Sequence, residues 1–303
     1  MIKPDFFIVG APKCGTTSMY DYLQQHPDIF MPRTKEPQFF ASDLQIDPPW
    51  RVPTKATYLQ LFENAGEVKR VGEASTWYLF STRAAAAIRE FSPDAKIIIM
   101  LRNPVDFINS LHLQMINGNN EDIIDLGEAL RAEPDRRKGL LIPTYARFPR
   151  CLIYTDVATF TPQVERYFQA FGRDAVRVIL LDDMVEDPVG VYRQTLEFLG
   201  VDPTLDADLA PHNKSRSLSA LDLRLKRLYY RAQWFRRVFK ATPTPLLAVY
   251  RTVTSKMMPT IRRTSMDPQL REELTDWFKP EIDRLGDLIR VDLSHWYKTG
   301  GTL

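Results

Sequence analysis

Short apolar runs alternate along the chain with stretches whose apolar residues recur at helical spacing. Four of these runs predict buried strands, at 6–9, 68–73, 96–101 and 176–181. The third run, KIIIML, is continuous and apolar, which is typical of the centre of a parallel sheet. Helical patterns are found at 16–26, 84–91, 105–116, 162–171 and 188–199. Because strands and helices alternate, we expect an α/β fold with a mostly parallel central sheet and helices on both faces.

The remaining stretches are polar or are interrupted by proline. Segments 27–40 and 43–53 contain prolines that argue against helix. Residues 117–143 are polar, and we interpret them as a lid-like insertion around one helix. A long helical pattern follows at 268–288. We predict that residues 1–303 form a single domain.

The charge of the chain is uneven although its total is small. The formal net charge is +2, yet residues 224–263 contain 11 Lys or Arg and no Asp or Glu, which leaves 29 basic against 38 acidic residues elsewhere. Helical patterns lie at 221–240 and 246–258, so we predict a basic helical arm, residues 221–263, inserted in the domain. Its basic and aromatic composition favours a membrane surface or an anionic polymer. The alternative is an amphipathic helix packed on the sheet. No motif supports nucleic acid binding.

Composition and cysteine content are those of an ordinary globular protein. Hydrophobic residues make up 44% of the chain and charged residues 26%. Cys14 and Cys151 lie far apart and suggest no disulfide framework. We find no apolar run of about 18 residues for a membrane span, and the first strand begins too close to Met1 for a signal peptide. We therefore expect a cytoplasmic location and hypothesise peripheral membrane contact through the basic arm.

The stretch 5–18, DFFIVGAPKCGTTS, combines a strand, a glycine loop and the start of a helix. In that order, backbone N–H groups converge on one point, where the helix dipole also favours an anion. Gly10 and Gly15 bracket the loop, and Lys13 lies within it. The alternative interpretation is a strand-to-helix turn with incidental glycines. The first helical turn adds three hydroxyl donors, on Thr16, Thr17 and Ser18.

This loop differs from a Walker A loop in the place of its lysine. The Walker pattern G-x4-G-K-[ST] has lysine after the second glycine, followed by a hydroxyl that binds Mg²⁺. Here Thr16 follows Gly15, and the lysine is Lys13. Strand 96–101 is followed by Arg102, where a Walker B strand has an Asp for Mg²⁺. An arginine there suits a phosphate bound without metal, and the alternative is an ion pair at the strand end.

The two motifs together resemble those of sulfotransferases that use 3′-phosphoadenosine 5′-phosphosulfate (PAPS). The glycine loop resembles the family's 5′-phosphosulfate loop, and the pattern R-[ND]-P-x5-S resembles its 3′-phosphate site. A basic stretch at 213–216 resembles a later loop that folds over the nucleotide, with a plain solvated loop as the alternative. The donor-binding residues that the resemblance implies are Lys13, Cys14, Gly15, Thr16, Thr17, Ser18, Arg102, Ser110, Asn213, Lys214, Ser215 and Arg216.

The resemblance implies a P-loop-NTPase-like sulfotransferase fold, PAPS as donor, 3′,5′-ADP as product and no metal. It implies transfer of the sulfuryl group to a hydroxyl of an acceptor, for which the motifs suggest a carbohydrate or a glycolipid. Lys13 would stabilise charge on the oxygen that bridges to the departing nucleotide. The identity of the acceptor and the oligomeric state stay open.

A base must also take the proton of the acceptor hydroxyl. Glu36, in TKEPQFF, matches the glutamate base of heparan-sulfate-type members, unless it forms a surface pair with Lys35. Glu73, in VGEAS, matches a glutamate near the acceptor and is the second candidate. Carbohydrate members often follow that glutamate with lysine, whereas this chain has Ala74. Many small-molecule members use a histidine, but we interpret His26 as a surface or helix-end residue.

Two other function classes stay open from the sequence. One is a P-loop kinase-like phosphotransferase, against which stand the displaced lysine and the missing Walker B aspartate. The other is a non-catalytic, membrane-associated nucleotide-binding protein, which would leave Glu36 and Glu73 without a task.

Overall fold

A computed structural model describes residues 2–44, 46, 51–118, 120–144, 146–210 and 266–297. The strands in this part of the chain are β1 (Phe6–Gly10), β2 (Ile29–Phe30), β3 (Arg70–Ala74), β4 (Lys96–Leu101) and β5 (Val176–Leu180). The four strands predicted from apolar runs are confirmed within about two residues at each end. The two-residue strand β2 lies in a segment that the sequence predicts as loop, because a strand this short has no detectable period.

Helices connect the strands and cover the sheet. In chain order they are α1 (Thr16–Leu23), α2 (Lys55–Gln60), α3 (Ala84–Phe91), α4 (Pro104–Asn117), α5 (Leu126–Arg131), α6 (Glu133–Arg137), α7 (Tyr154–Ala158), α8 (Thr161–Phe171), α9 (Leu181–Glu186), α10 (Pro188–Leu199) and α11 (Pro268–Ile289). Short 3₁₀ turns occur at Ser42–Leu44, Pro149–Leu152, Arg173–Ala175 and Ser294–Tyr297.

The described strands form one parallel sheet in the order β2-β3-β1-β4-β5. From β1 the chain first builds β2 and β3 on one side, and it then crosses over to build β4 and β5 on the other. The strand order therefore reverses between β1 and β4. In open α/β sheets ligands bind at such a reversal, outside the carboxyl ends of the strands. The loops after β1 and β4 meet at this place.

The two central strands are completely buried. In β1, Phe6, Phe7, Ile8 and Val9 expose no surface, and neither do residues 97–101 of β4. Successive side chains of a strand point to opposite faces, so burial of every residue means that helices cover both faces. The predicted α/β class with a mostly parallel sheet is confirmed.

Close packing between β1 and β3 depends on a glycine. Phe6 lies opposite Gly72 in the register of the two strands. A Cβ atom on Gly72 would lie 2.1 Å from Cζ of Phe6 and 2.4 Å from Sδ of Met31. The missing side chain therefore makes the space that the Phe6 ring fills, and this fixes β3, whose carboxyl end carries Glu73, against β1.

The insertion at 117–143 contains two short helices in its described part, α5 and α6, rather than the single helix that the sequence predicts. A buried ion pair holds it together. Nη1 and Nη2 of Arg136 each lie 2.7 Å from a carboxylate oxygen of Glu121, and neither side chain is exposed. The hydroxyl of Tyr154, in α7, also donates to Glu121 at 2.7 Å. The insertion is thus anchored to the body of the domain, and its lid-like role stays a prediction.

Some sequence predictions fall outside the described residues. These are the basic arm at 221–263 and the basic stretch Asn213, Lys214, Ser215 and Arg216. Where the description resumes, α11 packs on the domain, and Arg271 pairs with Asp106 of α4. In the described ranges, the helices are too short or too polar to cross a membrane.

Loss of one partner from the buried ion pair should destabilise the domain. Arg136→Met leaves the Glu121 carboxylate buried without its countercharge, so the free energy of unfolding should fall by about 3–5 kcal/mol. Urea denaturation followed by circular dichroism measures this change.

The double variant Glu121→Gln/Arg136→Met leaves neither charge buried and should lose less than Arg136→Met alone. Lys138→Met is the exposed control, since Lys138 and its partner Asp135 are 68% and 47% exposed. Its effect should stay below about 1 kcal/mol. Equal stability of Arg136→Met and the wild type would contradict the importance of this pair.

Candidate active site

The glycine loop between β1 and α1 has three residues with positive φ angles. Gly10 and Gly15 have φ angles of 146° and 85°, and Lys13 is also left-handed, with φ 65°. A Cβ atom on Gly10 would lie 2.6 Å from the carbonyl oxygen of Thr76, and one on Gly15 would lie 3.0 Å from Leu181. Both glycines therefore serve close packing as well as conformation. They are not incidental to the turn.

The N-terminus of α1 is open to a ligand. The helix begins at Thr16. Its N-cap is Gly15, which has no side chain to accept a hydrogen bond from the first turn, and that turn contains no acidic residue. The N–H groups of the first turn are thus left for another acceptor, and the helix dipole makes an anion the favoured one. Thr16 is buried, while the neighbouring Thr17 and Ser18 are half-buried. The predicted donor loop has the properties of an anion cradle.

Cys14 contributes its backbone rather than its thiol to this loop. Its side chain is fully buried, and burial raises the pKa of the thiol to about 12, against the smaller effects of Arg102 and Lys13. A thiol with such a pKa is neutral at physiological pH and unreactive. Cys151 is also a free buried cysteine, in which burial raises the thiol pKa.

The arginine that follows β4 lies against the glycine loop. Nη1 of Arg102 is 3.4 Å from the carbonyl oxygen of Lys13. Its Nε is buried, and no hydrogen-bond partner satisfies it among the described residues. Sequence reasoning expects the two motifs to face one pocket, and the structure brings them into contact. Ser110, by comparison, is buried in α4, about 9 Å along the helix axis from Pro104.

The C-terminal turn at Ser294–Tyr297 packs over the ends of β4 and β5. Asn103, which caps α4, donates from Nδ2 to the carbonyl of Trp296 at 2.9 Å. The indole of Trp296 donates to Oδ2 of Asp182 at 2.5 Å, and Asp182 lies in α9, directly after β5. No local signal in the sequence marks Asp182 as the partner of Trp296.

The segment that carries Glu36 is attached to the carboxyl end of β3. Glu36 donates from its backbone N–H to the carbonyl of Ala74 at 2.9 Å, and Gln38 donates to the hydroxyl oxygen of Ser75 at 3.0 Å. The N–H of Phe40 lies 3.3 Å from the hydroxyl of Tyr78. Glu36 and Gln38 both have left-handed backbones, with φ angles of 60° and 53°. Such strain persists where the surroundings impose it, which is common at functional sites.

Glu73 is enclosed at the end of the same strand. The side chain exposes no surface, and the hydroxyls of Tyr58 and Tyr78 both donate to Oε2 at 2.9 Å. Oε1 is buried, and no hydrogen-bond partner reaches it from the described residues. Burial raises the pKa of Glu73 to about 7, in spite of hydrogen bonds from Ser75 and the two tyrosines, and the nearby Glu36 adds to the rise.

His26, which the sequence analysis considers as a base, and Trp77, which follows β3, both have structural surroundings. His26 is buried at the end of α1, where Nε2 lies 3.1 Å from the carbonyl oxygen of Asp202 and Nδ1 accepts from the N–H of Asp28. Trp77 is buried and stacks on Phe148 with ring centres 5.8 Å apart. His26 thus lies in the turn that follows α1, and its interpretation as a surface residue is wrong because the ring is buried.

Comparison with known proteins identifies the family. A family model described as the sulfotransferase domain matches residues 3–286. The chain belongs to the sulfotransferase family. A crystal structure of a sulfotransferase from Alicyclobacillus acidocaldarius is 31% identical in sequence and superposes with a TM-score of 0.74, over 98% of this chain and 100% of that one. The resemblance stated from the glycine loop and the arginine motif is thereby confirmed.

Two curated relatives have names that state a carbohydrate acceptor. Carbohydrate sulfotransferase 15 of Rattus norvegicus is 29% identical over an alignment of 157 residues, and the match covers 38% of this chain and 28% of the relative. Heparan sulfate glucosamine 3-O-sulfotransferase 3A1 of Mus musculus is 24% identical over 198 residues, or 65% of this chain and 46% of the relative. The chain therefore spans less than half the length of these two curated relatives.

The pKa of Glu73 should be visible in the pH dependence of stability. Its carboxyl binds a proton in the folded state up to a pH of about 7, whereas the unfolded chain releases it near 4.5. The free energy of unfolding should therefore decrease as pH rises through this window, by about 3 kcal/mol from this group. Glu73→Gln cannot ionise, so its stability relative to the wild type should increase over the same window.

Urea denaturation at a series of pH values measures this difference. Glu67→Gln is the matched control, because Glu67 is exposed, and its stability relative to the wild type should not change with pH. A Glu73→Gln curve parallel to that of the wild type would show that the Glu73 carboxyl titrates as an ordinary exposed one.

Proposed function

We propose that the protein transfers the sulfuryl group of PAPS to a hydroxyl of a carbohydrate acceptor. The observation that carries this proposal is the contact between Arg102 and the carbonyl of Lys13, which brings the two predicted anion-binding motifs together at the reversal of strand order, the crevice in which open α/β sheets bind ligands. Membership of the sulfotransferase family supports the donor and the reaction class. The names of the curated relatives support a carbohydrate as the acceptor class.

The residues at the crevice fit a nucleotide with phosphate groups at two ends. Gly15 leaves the first turn of α1 uncapped by any side chain, which suits the 5′-phosphosulfate. Arg102 has a buried Nε that no residue in the described part of the chain satisfies, and its guanidinium suits the 3′-phosphate. Parallel strands lie about 4.8 Å apart, so the loops after β1 and β4 are close enough to bind one small molecule. We assign Lys13 and residues 14–18 to the 5′ end, and Arg102 and Ser110 to the 3′ end.

In the proposed reaction the protein supplies charge and position. PAPS, when bound, supplies an activated sulfuryl group whose departing partner is 3′,5′-ADP. Lys13 would stabilise the negative charge that grows on the bridging oxygen, and the N–H groups of the α1 first turn would act in the same direction. Fixed donors of this kind need no rearrangement during the transfer, which is the main source of their effect.

Glu36 is the candidate base that the geometry favours. Its side chain is half-buried, so the carboxylate keeps access to solvent and to an acceptor. Its Oε2 lies 3.4 Å from Nε2 of Gln38. Glu73 exposes no surface and is covered by two tyrosine hydroxyls. A base must come within hydrogen-bond distance of the proton it removes. We therefore assign Glu36 as the base that removes the acceptor proton, and we assign Glu73 a structural role.

Substitution of the base should separate turnover from donor binding. Glu36→Gln has the size of the carboxylate but cannot take the proton, so turnover should fall by about 100-fold or more. Its affinity for 3′,5′-ADP should stay at the wild-type value. Transfer from radiolabelled PAPS to a panel of saccharides measures turnover, and isothermal titration calorimetry measures affinity.

The donor-site variants provide the reciprocal result. Lys13→Ala and Arg102→Ala should each weaken the affinity for 3′,5′-ADP by about 10-fold or more, because each removes a charge-assisted contact. Wild-type turnover in Glu36→Gln would refute Glu36 as the base. A wild-type protein that binds no 3′,5′-ADP would refute the proposed function.

A further inference from the structure

Lys35 precedes Glu36 in the sequence, and its ammonium lies at the glycine loop. Nζ of Lys35 donates a hydrogen bond to the hydroxyl of Thr17, in the first turn of α1. The side chain is half-buried and lies 5.7 Å from the ring centre of Tyr20, also in α1. The sequence suggests for Lys35 only a surface pair with Glu36. The structure instead places its charge at the anion-binding end of a helix.

The hydroxyl that Lys35 contacts has a definite place in the loop pattern. Counted from Gly10 and Gly15, the Walker spacing puts the metal-binding Ser or Thr at position 17, which is Thr17 here. In a Walker loop that hydroxyl is bound to Mg²⁺, which in turn contacts the phosphates. Lys35 therefore presents a side-chain cation to the same hydroxyl that a Walker site uses for its metal.

The charges around Lys35 favour an anionic ligand. Burial lowers the pKa of Lys35 below its ordinary value, and the positive charge of Lys13 acts in the same direction, whereas Glu36 and Asp21 oppose both. Two lysine cations thus influence each other at one loop. An anion placed between them would offset their repulsion and the loss of hydration that burial imposes.

We propose that Lys35 is a second donor-binding cation, which contacts the 5′ end of the nucleotide from the position that Mg²⁺ has in a Walker site. This inference rests on the proposed function, since it deepens the assignment of the same crevice. Lys35 and Lys13 together neutralise the 5′-phosphosulfate from two sides of the loop. Lysine is suited to this as a compact point charge with several hydrogen-bond donors.

The position of Lys35 also connects the donor to the base. Lys35 reaches to Thr17 in α1, while the next residue, Glu36, is fixed through its N–H to Ala74 at the end of β3. One peptide bond therefore separates Lys35, which contacts the glycine loop, from Glu36, the proposed base. In this proposal, PAPS bound to Lys35 also restrains the backbone of Glu36.

Two nucleotides distinguish this contact from a general effect on the site. In isothermal titration calorimetry, Lys35→Met should weaken binding of 3′,5′-ADP by about 10- to 100-fold. Binding of adenosine 3′-phosphate, which lacks the 5′-phosphate, should stay unchanged. Lys69→Met is the matched control, because Lys69 is 62% exposed and pairs with Asp28 at the amino end of β3. It should leave both affinities unchanged.

Further variants keep the test decisive if Lys35→Met folds poorly. Lys35→Gln retains a donor for the Thr17 hydroxyl but has no charge, and it should show the same selective loss. Lys35→Arg retains the charge and should recover most of the affinity for 3′,5′-ADP. In turnover assays the KM for PAPS should rise in Lys35→Gln, while the KM for the acceptor stays at its wild-type value. Addition of Mg²⁺ or EDTA should leave the wild-type affinity for 3′,5′-ADP unchanged.

The outcomes separate this inference from the proposed function. Unchanged binding of 3′,5′-ADP to Lys35→Gln, or an equal loss for both nucleotides, would overturn the assignment of Lys35. Tighter binding of 3′,5′-ADP to the wild type in the presence of Mg²⁺ would overturn it as well. If Lys13→Ala still weakens 3′,5′-ADP binding in those cases, the proposed function stands without Lys35. No binding of 3′,5′-ADP by the wild type would overturn both.

Discussion

Parallel pairing of β1 with β4 is the constraint on which the proposed active site depends. The two strands are adjacent although 85 residues separate Gly10 from Lys96, and their carboxyl ends carry the glycine loop and Arg102. The side chains at 6–9 and 97–101 are all buried, and their packing holds the two strands in register, since a shifted strand would lose these apolar contacts. The contact of Arg102 with the Lys13 carbonyl is a consequence of this pairing. Neither motif alone would form the crevice.

The other half of the site depends on how β3 ends. The carbonyl of Ala74, its last residue, and the hydroxyl of Ser75, directly after it, accept the hydrogen bonds that hold the segment of Glu36, in which Glu36 and Gln38 have left-handed backbones. The segment thereby directs consecutive residues to different places: Lys35 reaches Thr17 of α1, while the backbone of Glu36 is held by Ala74. In the proposed function, this segment links donor binding to removal of the acceptor proton.

Burial determines the charge state of several groups in this domain. Glu121 keeps its charge because Arg136 and Tyr154 surround it, and these partners lower its carboxyl pKa against the effect of burial. Glu73 has only tyrosine and serine hydroxyls as partners, and burial raises its pKa to about 7. The pKa values of these two buried glutamates therefore shift in opposite directions, because Glu121 has a cation within hydrogen-bond distance, whereas Glu73 has hydroxyl partners among the described residues.

The sequence by itself determined the α/β class, the four longer strands, the anion loop and the arginine motif, because apolar runs, glycine spacing and strand-end residues are local signals. It left Glu36 and Glu73 as rival bases, and it suggested only a surface pair for Lys35. Only the tertiary structure decided that Glu73 lies enclosed by Tyr58 and Tyr78, and that Lys35 reaches Thr17. Burial and contact across distant segments have no local signal, since they arise where separate strands and loops meet.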